Sequence, residues 1–287
     1  MNEIKHIRLQ VVTFLVIVLQ FWICLNLNAQ HLTKEETNTY IKTMPSFSIH
    51  KNNYFISGVP TNKNVNAQTA DAKYQISFKQ LITRSTLPWD TYLFATYSQK
   101  AFWDIYAESS PFKEINYNPS LGLGKPIFDR NNRLTGLASL MFNHHSNGRD
   151  SIFSRSWNSI NLKYSTTLDE KTLLTVEAWA PFQYQEGNPD IFDYEGIAKV
   201  KLERELIPEK LSVELMLQKG LTWEWKGKVR TRILYSPLKN TNQYLMLEWF
   251  AGHSESLIDY DQFRSMVRIG YVIKTSELDF LRAKSGD

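Results

Sequence analysis

Short segments in which apolar and polar residues alternate with a period of two dominate the chain. In residues 72–81, for example, Tyr74, Ile76 and Phe78 alternate with lysine, glutamine, serine and a second lysine. The same pattern recurs in three later segments, residues 197–205, 211–218 and 228–235. Successive side chains of a strand point to opposite faces, so this alternation predicts strands with one apolar face and one polar face.

Eight further segments have strand-like patterns, which brings the predicted number of strands to about twelve. They are residues 53–59, 91–105, 116–128, 134–144, 158–166, 171–184, 243–252 and 263–274. An even number of antiparallel strands can close into a barrel without leaving an unpaired edge. We find no internal repeat, no heptad pattern and, after the first 30 residues, no apolar run long enough for a membrane helix.

The connections between the predicted strands alternate in length. Three are short, at residues 129–133, 167–170 and 207–209, and five are longer and polar, at residues 60–71, 107–115, 145–157, 185–195 and 253–262. Outer-membrane barrels have short periplasmic turns and longer external loops. We therefore predict an all-β fold, a twelve-stranded antiparallel transmembrane β-barrel. A soluble β-sandwich is the alternative fold, but it leaves so many exposed aromatic residues unexplained.

The first 30 residues have a different pattern from the rest of the chain. Lys5 and Arg8 precede an apolar run from Val11 to about Leu25, and the segment ends near Ala29. The run is short for a membrane-spanning helix and is typical of a secretory signal peptide, with a retained anchor helix as the alternative. We therefore predict a signal peptide at 1–29, an N-terminal periplasmic segment at 30–52 and the barrel domain at 53–287.

Composition and charge narrow the class of protein. The chain is 43% hydrophobic and 13% aromatic, yet its mean hydropathy is −0.36, as suits a barrel that is apolar outside and polar inside. Loss of Lys5, Arg8 and Glu3 with the signal peptide reduces 33 basic and 29 acidic residues to 31 and 28. So small an excess argues against a nucleic-acid partner, although basic side chains could still meet anionic lipid headgroups.

The segment "NHHSNGRDSIFSRSWN", residues 143–158, carries the candidate chemistry. His144 and Ser146 continue the apolar positions of the strand before it, and Asn158 has the parity of Ile160 in the strand after it. All three side chains are therefore expected on the apolar face, which in a barrel meets lipid. A histidine can activate a serine hydroxyl as a nucleophile, and an asparagine can orient the imidazole.

Such a serine hydrolase would benefit from further stabilisation of the oxyanion, because a neutral asparagine stabilises imidazolium less well than a carboxylate does. A bound cation would serve. The loop aspartates Asp150, Asp190 and Asp259 could approach a metal, but loop aspartate more often makes turn hydrogen bonds. A His-X-Ser spacing is weak evidence when it stands alone.

The motif resembles the signature of the outer-membrane phospholipase A family. Three further segments resemble this family, "ESSPFKEINYNP" at 108–119, "GNPDIFDY" at 187–194 and "SESLIDY" at 254–260. The resemblance covers most of the chain after about Trp89, whereas residues 30–70 match poorly. It implies a bacterial outer-membrane enzyme with a twelve-stranded barrel, in agreement with the strand count, that depends on Ca²⁺ and is active as a homodimer.

The resemblance also implies a role for each motif position. Ser146 resembles the nucleophile, His144 the general base and acid, and Asn158 the residue that orients it. Gly148 resembles the glycine that shapes the oxyanion site. The implied calcium ligands are the Arg149 carbonyl and Ser154 hydroxyl of one subunit and Ser109 of the other.

The predicted function is calcium-dependent hydrolysis of the acyl esters of membrane phospholipids, with phospholipase A1, phospholipase A2 and lysophospholipase activity. The alternative is a catalytically silent outer-membrane pore or scaffold. Such a barrel would have no need of a serine, a histidine and an asparagine aligned on its lipid-facing side.

Overall fold

A computed structural model describes residues 31–84, 87–238 and 241–282. The predicted signal peptide, residues 1–29, lies outside the described residues. One sheet contains all the named strands. They are β1 (Phe47–Ile49), β2 (Asn53–Pro60), β3 (Asp71–Leu81), β4 (Tyr92–Trp103), β5 (Phe112–Phe128), β6 (Leu134–Ser146), β7 (Ser156–Asp169), β8 (Thr172–Phe182), β9 (Ala198–Ile207), β10 (Leu211–Lys219), β11 (Gly227–Tyr235), β12 (Gln243–Gly252) and β13 (Arg264–Ile273).

The strands β2 to β13 form a closed antiparallel barrel. Each pairs with its neighbours in the sequence, and β13 pairs back onto β2, with Ile269 opposite Ser57. The predicted twelve-stranded antiparallel fold is therefore confirmed, and each predicted segment forms a strand with ends that differ by a few residues. β1 was not predicted, and it pairs with β3 beside the barrel strands. In the described ranges, no helix is long and apolar enough to cross a membrane.

The two faces of the barrel differ as the alternation predicts. The outer face is exposed and apolar, and Leu140, Leu162 and Ile269 are 50%, 59% and 63% exposed. The inner face, which lines the lumen, carries buried charges that pair across strands. Arg268 Nε lies 2.6 Å from Asp71 Oδ1, and its Nη1 lies 2.7 Å from Glu255 Oε1. Pairing satisfies charges that a closed lumen shields from bulk water.

One end of the lumen is closed by the helix α1 (Lys34–Thr43), which the sequence analysis did not predict. Thr33 and Glu36 form a capping box at its start, which satisfies amide groups that the first turn leaves free. The ring of Tyr40 stacks on Phe280 at 5.3 Å. The backbone amide of Lys34 donates to Asn132 in the β5–β6 turn, so the helix lies at the end of the short turns.

The long loops lie at the opposite end, together with two of the remaining short helical segments. These are α2 (Ile191–Glu195) and the 3₁₀ turn Ser151–Phe153, whereas the 3₁₀ turns Pro88–Asp90 and Asp279–Leu281 belong to the helix-capped end. The loops after β4 and β6 share one rim, because these two strands run in the same direction in the antiparallel barrel. Since β5 already begins at Phe112, the loop that contains Ser109 is shorter than predicted.

Candidate active site

His144 and Asn158 face each other across the β6–β7 ladder. His144 Nδ1 lies 2.8 Å from Asn158 Oδ1. Phe142 and Ile160, which precede and follow them on the same face, are 45% and 43% exposed. Both polar side chains therefore lie on the outer face, as their parity predicts. Because an amide oxygen only accepts, this contact places a proton on Nδ1, and in the neutral imidazole the lone pair is then on Nε2 of His144.

Ser146 ends β6 on the same outer face. Its register partners are Tyr117 on β5 and Ser156 on β7. Two residues along a strand are separated by about 6.6 Å of rise, so Ser146 is the next outward position after His144. The register thus places the three predicted catalytic residues on one strip of the outer face, and within the described residues no hydrogen bond joins Ser146 to His144.

The backbone of β6 is held in place at His144 by a side chain from β5. The β5–β6 ladder is interrupted between the pairs Tyr117–Ser146 and Ser120–Asn143, the stretch that contains Pro119 and His144, and proline has no N–H to donate to the ladder. Asn118 Nδ2 donates instead to the His144 carbonyl oxygen at 2.9 Å. This amide fixes the strand position from which the imidazole projects.

Gly148 follows the strand in a conformation that favours glycine. Its φ is +65°, and a Cβ at this position would lie 2.8 Å from Cε2 of Tyr117. Any other residue would be strained by the backbone and would also push against the Tyr117 ring. The requirement for glycine comes from the path of the loop directly after Ser146.

Two buried asparagines that the sequence analysis missed shape the surrounding loops. Asn147 Oδ1 accepts from the Arg155 amide at 3.0 Å, and its Nδ2 donates to the Phe153 carbonyl at 2.8 Å. Asn188 Oδ1 accepts from the Ser156 amide at 3.0 Å. Both lie in segments that carry the family resemblance, and that position was the available signal. Each replaces ladder bonds where the strands separate.

The predicted calcium ligands have the chemistry that calcium prefers. In the loop after Ser146, Arg155 Nη1 donates to the carbonyls of Ile152 and Ser154 at 2.9 and 2.8 Å. Within the part of the chain that the structure describes, the Arg149 carbonyl and the Ser154 hydroxyl have no hydrogen-bond partner. Neutral oxygens of this kind fit a hard cation. Among all the residues that the structure describes, no group of three or more His, Cys, Asp or Glu side chains is placed to hold a metal ion.

The structure places Ser109 outside the motif loop. It is exposed, has a φ of +60° and lies in the loop between β4 and β5, on the same rim as the motif loop. In the described ranges, no hydrogen bond joins it to the other six predicted residues.

Two of the loop aspartates have partners within the protein. Lys113 Nζ lies 2.8 Å from Asp259 Oδ2, and Arg264 also pairs with this carboxylate. Burial alone would raise the pKa of Asp259, but these two cations hold it below its usual value. The Tyr260 hydroxyl donates to Asp190. The pKa of Tyr260 is raised mainly by burial and, as the second cause, by this carboxylate. Both aspartates therefore connect rim loops.

His145, between the candidate base and nucleophile, points the other way. Its ring stacks on Trp157 with 3.9 Å between the centroids and 6° between the planes. Both rings line a polar cavity of about 320 Å³ in the lumen. The cavity is separated from the His144–Asn158 pair by the barrel wall.

A closed barrel with an apolar outer face and a polar, ion-paired lumen is a transmembrane protein of the outer-membrane type, and here its candidate chemistry faces the bilayer. A sequence model of the family Phospholipase A1 matches residues 27–273. Phospholipase A1 of Salmonella typhimurium and that of Escherichia coli K12 are each 32% identical over 219 residues, 72% of this chain and 71% of theirs. The chain belongs to the phospholipase A1 family.

Solved structures agree with this assignment. Outer membrane phospholipase A from Escherichia coli superimposes with a TM-score of 0.71 at 26% identity, over 83% of this chain and 98% of that one. The Salmonella typhi outer membrane phospholipase, a dimer with bound calcium, has a TM-score of 0.72 at 26% identity and covers 83% and 96%. An active-site asparagine-to-alanine mutant of the Escherichia coli enzyme has a TM-score of 0.71 at 25% identity, over 83% and 97%. The protein is a phospholipase of the bacterial outer membrane that hydrolyses phospholipids.

Proposed function

We propose that Ser146, His144 and Asn158 form the catalytic triad of this phospholipase and that it requires calcium. The observation that carries the proposal is the 2.8 Å contact between His144 Nδ1 and Asn158 Oδ1 on the outer face. An ionisable side chain that faces hydrocarbon is costly and is rarely retained without a function. The active-site asparagine of the Escherichia coli relative supports an asparagine in this role.

In the proposed reaction, Ser146 Oγ attacks the carbonyl carbon of an acyl ester while His144 Nε2 takes the hydroxyl proton. The bond between the carbonyl carbon and the glycerol oxygen then breaks, and His144 returns the proton to that oxygen. Water next donates a proton to His144 and attacks the acyl-serine. The fatty acid leaves, and the proton on His144 restores the Ser146 hydroxyl.

Asn158 keeps the imidazole in the productive orientation throughout these steps. It accepts from Nδ1–H, so Nε2 remains the proton acceptor. Because the amide is neutral, it stabilises the imidazolium less than a carboxylate would. We propose that the Gly148 backbone N–H donates to the oxyanion, and its φ of +65° is what turns this part of the loop.

The Arg149 carbonyl and the Ser154 hydroxyl are the proposed calcium ligands of one barrel, and Ser109 of a second barrel completes the protein ligands. Calcium held by these residues would supply positive charge to the developing oxyanion. The dimer with bound calcium formed by the Salmonella typhi relative supports a homodimer. If both barrels contribute ligands, calcium must favour the dimer as much as the dimer favours calcium.

The substrate is proposed to approach from the bilayer. Acyl chains would lie along the exposed apolar positions that flank the triad, such as Leu140 and Leu162. We propose activity on both acyl positions of a phospholipid and on lysophospholipids, because an open wall leaves either ester able to approach Ser146. Removal of residues 1–29 as a signal peptide and a periplasmic position for residues 30–52 complete the proposal.

The assignment of the nucleophile is tested by covalent labelling. A long-chain alkyl fluorophosphonate, which phosphonylates activated serines, should label the purified barrel in detergent with calcium present. Peptide mass spectrometry should locate the label on Ser146. Label on another serine, or undiminished labelling of Ser146 in a folded His144→Ala variant, would contradict the triad.

A further inference from the structure

Gln183 makes a contact that the proposed triad does not include. Its Oε1 accepts from Asn158 Nδ2 at 2.7 Å. The oxygen of the Asn158 amide therefore faces His144, and the nitrogen of the same amide faces Gln183. His144, Asn158 and Gln183 form a continuous chain of two hydrogen bonds along the outer face.

The backbone at Gln183 is what brings the side chain to this face. Phe182, the last residue of β8, is opposite Asn158 and shares its face. Strict alternation would turn the next residue toward the lumen, where Trp157 lies. Gln183 instead has a φ of +52°, in the left-handed region that non-glycine residues rarely adopt. This departure ends the strand pattern and returns the glutamine to the outer face.

We propose that Gln183 is a positioning residue that fixes which end of the Asn158 amide faces His144. The inference rests on the proposed triad. A carboxylate orienter has two equivalent oxygens, so it cannot present the wrong end. An amide can, because rotation by 180° exchanges the oxygen with the NH₂ group.

The wrong orientation has a defined chemical consequence. An NH₂ group facing Nδ1 requires a lone pair there, which places the proton of the neutral imidazole on Nε2. Nε2 could then no longer take the proton of Ser146. In the observed orientation Gln183 presents its oxygen to Asn158, and this oxygen stabilises the correct orientation because it accepts only from the amide nitrogen. Asn158 therefore needs a second hydrogen-bond partner to fix the orientation of its amide, whereas an aspartate would not.

The strained backbone at Gln183 supports the same conclusion. A non-glycine residue stays at positive φ only where its surroundings determine it, and such residues concentrate at functional sites. Glycine would adopt this conformation without strain but would lose the amide. The side chain is exposed at the rim, so a change of residue 183 should leave the folded barrel intact.

The test compares Gln183→Leu, Gln183→Glu and the control Gln185→Leu. Leucine retains size and removes the acceptor, glutamate retains an acceptor, and Gln185 belongs to the same loop but accepts from the Tyr184 amide. Gln183→Leu should lower kcat by about 2- to 10-fold, the factor that corresponds to one net hydrogen bond. KM should not change. Gln183→Glu should restore most of kcat, and Gln185→Leu should resemble the unmodified enzyme.

A double-mutant cycle separates this inference from the triad itself. In an Asn158→Ala background, Gln183→Leu should cause no further loss, because the amide that it positions is absent. An equal loss in both backgrounds, or full activity of Gln183→Leu beside an impaired Asn158→Ala, would overturn the role of Gln183 and leave the triad standing. Full activity of Asn158→Ala would overturn both.

Discussion

Two neighbouring histidines, His144 on the outer face and His145 in the lumen, have opposite environments. On the outer face, His144 pairs with the neutral amide of Asn158, and its Nε2 forms no hydrogen bond within the described residues. In the lumen, His145 stacks on Trp157 and also lies 3.4 Å from Asn118 Nδ2. Polar groups are common in a lumen and rare against hydrocarbon. The same residue type therefore indicates packing on one face and chemistry on the other.

The two faces also differ in the number of partners per charge. In the lumen, Arg268 contacts both Asp71 and Glu255, and Lys73 pairs with Glu248 and, at 2.8 Å, with Glu255. Each of these side chains is buried. On the outer face, removal of a side chain of the proposed triad leaves no buried charge unpaired. Substitutions should therefore affect stability when they face the lumen and turnover when they face the bilayer.

The largest expected effect separates the adjacent histidines. His144→Ala should reduce hydrolysis by about 10⁴-fold or more, because nucleophile and base act as a unit. His145→Ala should retain most of its activity, because its ring contacts the lumen. Fatty-acid release per folded barrel measures both. Comparable losses in the two variants would show that the lumen takes part in the chemistry.

A second prediction concerns stability and uses the lumen network. Arg268→Met should lower the free energy of unfolding by about 3–5 kcal/mol, because it leaves Asp71 and Glu255 as buried charges without this partner. Denaturant unfolding in detergent measures the loss, and the exposed Arg130, changed in the same way, is the control. Activity per folded barrel should persist. An unchanged stability would contradict the structural role assigned to the network.

Asn158→Ala should cause a smaller loss of activity than His144→Ala. Hydrogen bonds to charged groups contribute about 1.5–3 kcal/mol, so loss of the orienting bond corresponds to about a 10- to 100-fold lower kcat. Steady-state kinetics on folded protein measures this ratio. An Asn158→Ala variant as inactive as His144→Ala would show that the asparagine does more than orient the base.

Ser109→Ala should give the smallest change, and it should depend on calcium concentration. If Ser109 binds the calcium of a partner barrel, its loss should weaken calcium affinity and dimerisation together. Cross-linking yield and hydrolysis should both fall at low calcium and recover with excess. Ser110→Ala, in the same loop, is the control. A monomeric barrel, shown by sedimentation, with full calcium-dependent activity would contradict the coupling.

Period-two alternation predicted the barrel and the outward face of His144, Ser146 and Asn158 because both depend on local side-chain direction. It could not predict α1, whose buried residues are only Thr37 and Ile41 and whose packing depends on the end of the barrel. Nor could it predict the positive φ of Gln183, which interrupts the alternation on which the prediction relied. The roles of Asn147 and Asn188 depend on where strands separate in space. Such long-range requirements are absent from a local pattern.

The central claim, calcium-dependent hydrolysis by a serine on the lipid-facing side, is tested most directly by release of fatty acid from phospholipid. Three purified barrels should be compared with calcium and with a chelator: the unmodified chain, Ser146→Ala and Ser156→Ala. Ser156 is the matched control, because it lies opposite Ser146 in the β6–β7 register. The account predicts calcium-dependent release by the unmodified chain and by Ser156→Ala, and none by Ser146→Ala. Undiminished release by folded Ser146→Ala would contradict it.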